Sequence, residues 1–96
     1  MSADHAEQEL VANAISGDQL ALERLLLIHY AELARHVAEK LPRWLQGVVS
    51  VEDILQETFI QAFCDVGNFQ PLSDASFSAW LRAVAENRLR DTSKAL

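Results

Sequence analysis

The sequence predicts an all-α fold, a compact bundle of about four helices. Half of the 96 residues are hydrophobic, whereas only three are glycine and two are proline. This composition favours helices over sheets and irregular structure. Apolar residues recur at i, i+3, i+4 and i+7 in several long segments, which is the spacing of a helix with one buried face. A chain of this length forms one domain, so residues 1–96 are interpreted as a single domain.

The first two predicted helices are separated by a short break. The first runs over about residues 3–16, and Gly17 follows at the position where helices often end in a left-handed residue. Asp18 is a good N-cap for the second helix, at about residues 19–41. Pro42 ends that helix, because proline lacks the backbone N–H that a helix interior needs. The apolar stripe of the second helix contains Leu22, Leu25, Leu26, His29, Leu33 and Val37.

The third helix is predicted to begin after Ser50. Asp53 stands three residues later, where a capping box places its acidic side chain, and the helix stops near residues 66–67. One face of this helix is apolar, and a neighbouring face carries two carboxylates, an amide and an isoleucine. The apolar face contains Val51, Ile54, Leu55, Thr58, Phe59, Ala62, Phe63 and Val66, and the neighbouring face contains Asp53, Gln56, Glu57 and Ile60.

The fourth helix follows an irregular loop at residues 67–74, which contains glycine, asparagine and proline. Ser73 or Asp74 is expected to cap this helix, which runs to about Thr92. Trp80 is expected to pack against the third helix. The core stripe of the fourth helix is Phe77, Trp80, Leu81, Val84 and Ala85.

The net charge of −6 is unevenly distributed along the chain. Residues 1–66 hold four basic and eleven acidic residues, whereas residues 67–96 hold four basic and three acidic residues. The acidic part would repel a phosphate backbone, so only the last helix is suited to lie along a nucleic acid. Arg88 falls near the middle of the apolar stripe of that helix. It must reach solvent through its long side chain, unless the helix extends beyond the core there.

Composition also favours a cytoplasmic protein without a membrane partner. Cys64 is the only cysteine, which excludes an internal disulfide and fits a reducing compartment. Its side chain is expected to be a small apolar group, buried or half-buried. No segment approaches the roughly 18 apolar residues of a membrane span, and the first residues do not resemble a signal peptide.

No catalytic chemistry is predicted, and no cofactor. His29 and His36 lie seven residues apart on one helix face, but a third ligand is lacking, so a metal site is not expected. The sequence offers no Ser–His–Asp or Cys–His arrangement and no glycine-rich phosphate loop. Glu52 and Asp53 stand at a helix start, where capping explains them. The sequence therefore predicts a binding protein.

Two blocks of sequence carry a resemblance to a known family. The third helix contains D-I-L-Q-E-T-F-I-Q-A-F, and the fourth contains F-S-A-W-L followed by A-E-N-R-L-R-D. In this order and spacing they resemble region 2 of bacterial sigma-70 family factors of the extracytoplasmic-function (ECF) group. The pattern of that group is roughly D-L-V-Q-E-T-F-L-R-A-W, then F-x-A-W-L, then A-R-N-x-x-x-D. The match spans about residues 51–91, and the preceding half fits by helix layout.

The resemblance implies that the domain binds core RNA polymerase. In the family, the third helix contacts the clamp coiled coil of the largest polymerase subunit. The positions that carry over are Asp53, Gln56, Glu57 and Ile60. Carboxylates accept arginine in a bidentate manner, and isoleucine offers apolar contact to a partner helix. From spacing alone, the same residues are interpreted as a solvated face whose N-terminal acids favour the helix dipole.

The resemblance also implies binding of the non-template single strand of the promoter −10 element. In the family, the loop before the fourth helix captures a flipped base. Here Asn68 and Gln70 are candidate base-reading residues, with ordinary turn residues as the alternative. Phe69 is a candidate for stacking on a base, although an aromatic residue at a helix–loop junction is more often part of the core.

On the fourth helix, the resemblance implies contacts to the adjoining DNA strand. The alternative is a solvated surface with a weak Glu86–Arg90 ion pair. Glu86 stands where the family usually has arginine, and Arg88 stands where it usually has an apolar residue. Both departures weaken the expected DNA surface. The candidate DNA-binding residues of this helix are Arg82, Asn87, Arg90 and Lys94.

A competing hypothesis is a helical protein-interaction module with a sigma-like fold and no DNA-binding role. Full sigma factors of this group carry a second, C-terminal helix-turn-helix domain, region 4, for which these 96 residues have no room. Surplus apolar residues would contact that domain, an anti-sigma factor or a second copy of the chain. These residues are Leu27, Ile28, Trp44, Leu45, Val48 and Val49.

Overall fold

A computed structural model describes residues 3–70 and 76–95, and confirms the predicted all-α fold. Helix α2 lies at the centre and packs against the other three α-helices. Its buried leucines face these helices, whereas Leu27 and Ile28, which lie off its apolar stripe, are exposed. The four helices are α1 (Ala3–Ile15), α2 (Gln19–Lys40), α3 (Val51–Asp65) and α4 (Phe77–Ala95), with 3-10 turns at Arg43–Leu45 and Val66–Asn68.

The boundaries that the sequence predicts for α2 and for the start of α3 from capping residues are confirmed. Gly17 adopts a positive φ of 106° between α1 and α2. The Asp18 side chain accepts hydrogen bonds from the backbone N–H groups of Leu20 and Ala21, at 3.0 and 3.2 Å. Ser50 and Asp53 form the predicted capping box, in which each side chain accepts the other residue's backbone N–H at 3.1 Å.

Helix α4 differs from its prediction at both ends. It begins at Phe77, and the Ser76 hydroxyl accepts the backbone N–H of Ala79 at 3.1 Å. Ser76 thus fills the capping role that the sequence analysis gave to Ser73 or Asp74, which lie outside the described residues. The helix continues to Ala95 rather than ending near Thr92.

The core lies between α2, α3 and α4, with α1 covering one side. Thr58 is its one buried polar side chain among the described residues, and its hydroxyl donates to the Ile54 carbonyl oxygen at 2.7 Å. That bond satisfies a donor that would otherwise be costly to bury. The largest fully buried side chains are Leu22, Leu25, Val37, Leu45, Ile54, Leu55, Thr58 and Leu81.

The sequence-based expectations about the burial of Leu45 and Cys64 are wrong. Leu45, grouped with the surplus apolar residues, is fully buried, because the Arg43–Leu45 turn brings it into the hydrophobic core. Cys64, expected to be buried or half-buried, is exposed. It lies about 180° around α3 from the buried Leu55, on the side that faces away from the core.

None of the described helices combines the length and hydrophobicity needed to cross a bilayer.

Candidate partner-binding and nucleic-acid surfaces

The four residues of the third-helix stripe form one continuous exposed surface on α3. Asp53, Gln56, Glu57 and Ile60 are all exposed, and Ile60 keeps 65% of its accessible surface. We call this set the α3 stripe. Ile60 lies at the end of the stripe, one helical turn before Phe63, which is also exposed. Exposed apolar side chains next to two carboxylates fit a surface that a partner covers.

Asp53 has a structural task in addition to its place in the α3 stripe. Its Oδ2 accepts the Ser50 backbone N–H, which holds the carboxylate over the first turn of the helix. Glu57 makes no such contact within the described part of the chain. Glu57 is therefore the carboxylate of the stripe that is best placed to bind an arginine of a partner.

An apolar groove lies beside the α3 stripe, between α2 and α3. Its volume is about 260 Å³. The rings of Tyr30 and Phe59 lie 6.0 Å apart along it, and Leu27 is 74% exposed at its edge. Leu27 is one of the surplus apolar residues that were expected to contact a partner. The expectation that Phe63 lies on the buried face of α3 is wrong, because this residue is 39% exposed. The groove is lined by Glu23, Leu26, Leu27, Tyr30, Phe59 and Phe63.

The segment that follows α3 separates the three candidate loop residues. Asn68 and Gln70 are exposed, whereas Phe69 between them is only 7% exposed. The Phe69 ring meets Phe77 edge-on, with centroids 5.6 Å apart, and lies 5.5 Å from the Trp80 ring. Phe69 therefore anchors the chain to α4 as a core residue, and its ring is not presented for stacking on a base. Trp80 is half-buried in this aromatic cluster.

Arg82, a candidate DNA contact, is engaged within the fold. Its Nη1 donates to Glu32 Oε1 at 2.8 Å and to the Ser78 hydroxyl at 2.9 Å. The Ser78 hydroxyl in turn donates to the same Glu32 oxygen at 3.0 Å. This network joins α4 to α2, so a phosphate would have to compete with Glu32 for the guanidinium.

The remaining candidates on α4, Asn87, Arg90 and Lys94, are exposed. Arg88 is half-buried. Its guanidinium is paired with Asp91, while its Nε is buried without a partner among the described residues. The long side chain thus reaches solvent from a position over the core, as the sequence predicts.

Glu86 pairs with His36 of α2, and the Glu86–Arg90 ion pair that belonged to the alternative of a solvated surface does not form. Glu86 Oε2 lies 2.8 Å from His36 Nε2. The hydrogen bond to His36 lowers the pKa of the Glu86 carboxyl, and the charges of His36, Lys40 and Arg90 add to the effect. The pair joins residues fifty positions apart, so no local sequence pattern reveals it.

His29, the other histidine of the α2 pair considered for a metal, also faces a carboxylate. Its Nε2 lies 3.1 Å from Glu7 Oε1 of α1, at ion-pair distance but outside hydrogen-bond geometry. The imidazole ring also lies 5.8 Å from the Phe77 ring. Across the described residues, no group of three or more histidine, cysteine or acidic side chains could hold a metal ion.

Comparison with known proteins identifies the family. The model of sigma-70 region 2 matches residues 26–95. The RNA polymerase sigma factor CnrH of Cupriavidus metallidurans is 33% identical over 92 residues, which are 95% of this chain and 44% of that protein. The ECF RNA polymerase sigma-E factor of Escherichia coli K12 is 30% identical, with the same coverage. The chain therefore spans under half the length of these curated relatives.

Two solved structures are similar to this fold. One is an engineered region 2 of sigmaE in complex with GTAAAA, with a TM-score of 0.77 and 29% identity, covering 99% of this chain and 93% of that one. The other is CnrH in complex with the cytosolic domain of CnrY, with a TM-score of 0.69 and 33% identity, covering 90% of this chain and 52% of that one. The predicted resemblance to ECF sigma factors is confirmed, and the chain belongs to the sigma-70 region 2 family.

Proposed function

We propose that this domain is the region 2 module of an ECF-type sigma factor. It binds core RNA polymerase through the α3 stripe and single-stranded −10 DNA through the end of α3 and the outer face of α4. The observation that carries the proposal is the α3 stripe itself. Its four side chains are exposed together on a helix that lies within the family match.

The chemistry of the α3 stripe suits a basic partner helix such as the polymerase clamp coiled coil. The Glu57 carboxylate accepts a bidentate arginine, Gln56 both donates and accepts, and Ile60 supplies the apolar contact. Asp53 adds negative charge while it keeps its capping bond to Ser50. The neighbouring groove, which is lined by Tyr30 and Phe59, gives the partner an additional apolar contact surface.

For DNA, the proposal rests on the exposed polar and basic residues Asn68, Gln70, Asn87, Arg90 and Lys94. The related region 2 in complex with GTAAAA supports it. Asn68 and Gln70 would read the edges of bases flipped out of the strand, and the binding energy would offset the few kcal/mol that unstacking costs. Phe69 and Arg82 are left out of this surface, because one is buried and the other is paired with Glu32.

An anti-sigma factor is the proposed regulator. The solved structure of CnrH contains the cytosolic domain of CnrY. An anti-sigma factor that covered the exposed apolar side chains of the α2–α3 groove would lie beside the α3 stripe and compete with polymerase. Core polymerase acts in the cytoplasm, and we place this domain there.

A second candidate function is a protein-interaction module without a DNA role. The Arg82–Glu32 pair, the buried Phe69 and the carboxylate of Glu86 on α4 favour it, because each removes something that a DNA surface would use. This module would share the α3 stripe and the groove but would not bind single strands.

Binding of a labelled single strand that contains GTAAAA, measured by fluorescence anisotropy at several salt concentrations, distinguishes the two functions. A sigma domain with about three phosphate contacts should give a log–log salt slope near −2. It should also bind this strand more tightly than a scrambled strand of equal length. Undetectable binding of both strands at low salt would contradict the DNA half of the proposal.

A further inference from the structure

A shallow cleft lies where the end of α2 approaches α4. It is open to solvent and has a volume of about 220 Å³. Leu89 is buried at its base and Pro42 is half-buried beside it, so the cleft has an apolar floor with polar groups at the rim. The lining residues are Lys40, Pro42, Glu86, Leu89, Arg90 and Ser93.

Two cations from different helices meet at this cleft. Lys40 is the last residue of α2, and Arg90 belongs to α4. Within residues 3–70 and 76–95, neither is held in an ion pair, in contrast to Arg82 and Arg88. Both lie close enough to the Glu86 carboxyl for their charges to lower its pKa. The cleft is therefore lined by two positively charged side chains, one from each helix, that no carboxylate holds in an ion pair.

The distribution of charge along the chain also favours binding of an anion at this cleft. The chain has eight basic residues and a net charge of −6. Arg43 follows Pro42 in the next turn, and Lys94 lies one helical turn beyond Arg90 on α4. Residues 39–43 and 86–94, which border the cleft, hold five of the eight basic residues and three of the fourteen acidic residues, a net charge of +2 in a protein whose total is −6. Such segregation is the electrostatic pattern of a surface that attracts a polyanion.

The one carboxylate that lines the cleft is already engaged. Glu86 Oε2 lies 2.8 Å from His36 Nε2, so this carboxylate already has a partner on α2. The half-buried Ser93 offers a hydroxyl on the same rim. Lysine, arginine and serine together supply the hydrogen-bond donors that an oxyanion accepts from.

We propose that this cleft binds one phosphodiester of the single-stranded DNA backbone, through Lys40, Arg90 and Ser93. The inference rests on the proposed DNA-binding function and extends the DNA surface from α4 onto the end of α2. It adds a residue, Lys40, from the half of the chain whose overall charge would repel DNA. From the bases that contact Asn68 and Gln70, the DNA backbone would run along α4 and place a phosphate over Leu89.

The test compares two charge-neutralising substitutions on α2 in the same anisotropy titration. Lys40→Gln should weaken binding of the GTAAAA strand about 3- to 10-fold at low salt and reduce the magnitude of the salt slope by about 0.7. Arg24→Gln is the matched control, because Arg24 is exposed on the same helix, sixteen residues and about 24 Å from Lys40. It should leave both quantities unchanged.

A methylphosphonate scan then locates the phosphate. Replacing each phosphate of the strand in turn by an uncharged methylphosphonate should identify one position that weakens binding to the wild type but has little effect on Lys40→Gln. Far-UV circular dichroism verifies that the variants keep their helices.

The outcomes separate the inference from the function on which it rests. If the wild type binds the strand and Lys40→Gln binds with the same affinity and slope, the cleft is not a phosphate site, while the DNA function stands. Equal weakening by Lys40→Gln and Arg24→Gln would also overturn the inference, because it would show a general charge effect. No binding by the wild type would overturn both.

Discussion

His36 Nε2 and Glu86 Oε2 lie 2.8 Å apart and join the middle of α4 to the last turns of α2. A second link, Arg82 with Glu32, joins the same helices one turn earlier along α4. Two side chains that the sequence places on a DNA-facing helix thus hold that helix to the bundle. Some polar side chains of α4 therefore attach the helix to α2, and only the others are available to bind a partner.

Glu86 should contribute a small, pH-dependent stabilisation. The pKa of its carboxyl is lower in the folded protein than the ordinary 4.5 because of the His36 hydrogen bond. Its contribution is therefore complete above that ordinary value and is lost as pH falls through the lower folded-state pKa. Because the pair is partly exposed, Glu86→Gln should lower the free energy of unfolding by only about 0.5 kcal/mol at pH 7. Urea denaturation of both proteins from pH 7 to about pH 3 measures the difference. A difference that stays constant to the lowest pH would argue against the pair.

The same substitution should strengthen single-strand binding. Glu86→Gln removes a negative charge beside Arg90 and Lys40, so the affinity for the GTAAAA strand should rise about 2- to 5-fold at low salt, and the gain should shrink as salt screens the charge. Glu23→Gln, an equal charge change at the exposed start of α2, is the control. Equal gains in the two variants would show an effect of net charge alone.

Arg82 and Arg90 should differ in their contribution to DNA binding, although both lie on α4. Arg90→Gln should weaken binding of the strand about 3- to 10-fold. Arg82→Gln should change it less than about twofold, because Glu32 already holds that guanidinium. Anisotropy titrations at one salt concentration give both numbers. A larger loss for Arg82→Gln would mean that DNA displaces Glu32.

Two isoleucines of α3 provide a matched test of the packing. Ile54 is fully buried, whereas Ile60 is 65% exposed in the α3 stripe. Ile54→Ala should lower the free energy of unfolding by about 2–5 kcal/mol, because it removes buried methyl groups and leaves a cavity. Ile60→Ala should change it by less than about 0.5 kcal/mol. Chemical denaturation measures both, and similar losses at the two positions would contradict this orientation of α3.

Local chemistry made much of this fold predictable from the sequence. Asp18, Ser50 and Pro42 act on backbone groups a few residues away, so their effects can be predicted from the local sequence. The structure confirms the helix boundary that each of them predicts. Helical spacing also assigned the buried side of α3 and the exposure of the α3 stripe.

Contacts between distant segments were not predictable in the same way. Leu45 is buried by the return of the chain after Pro42, and Glu86 finds its partner on another helix. Cys64 is a different case. Its position opposite Leu55 indicates exposure, and the expectation failed because it followed the usual preference of cysteine for the interior.

The central claim is that the α3 stripe binds polymerase, and binding of the domain to purified bacterial core polymerase tests it most directly. Wild type, Glu57→Lys and Glu52→Lys would be compared by surface-immobilised titration. Glu52 is exposed on the first turn of α3, about 140° around the helix from Glu57, so it matches the charge change outside the stripe. This binding mode predicts saturable binding by wild type and Glu52→Lys, and a loss of affinity of at least about 30-fold for Glu57→Lys, with unchanged unfolding curves. Binding by Glu57→Lys equal to that of the wild type, or no binding by a folded wild-type domain, would contradict it.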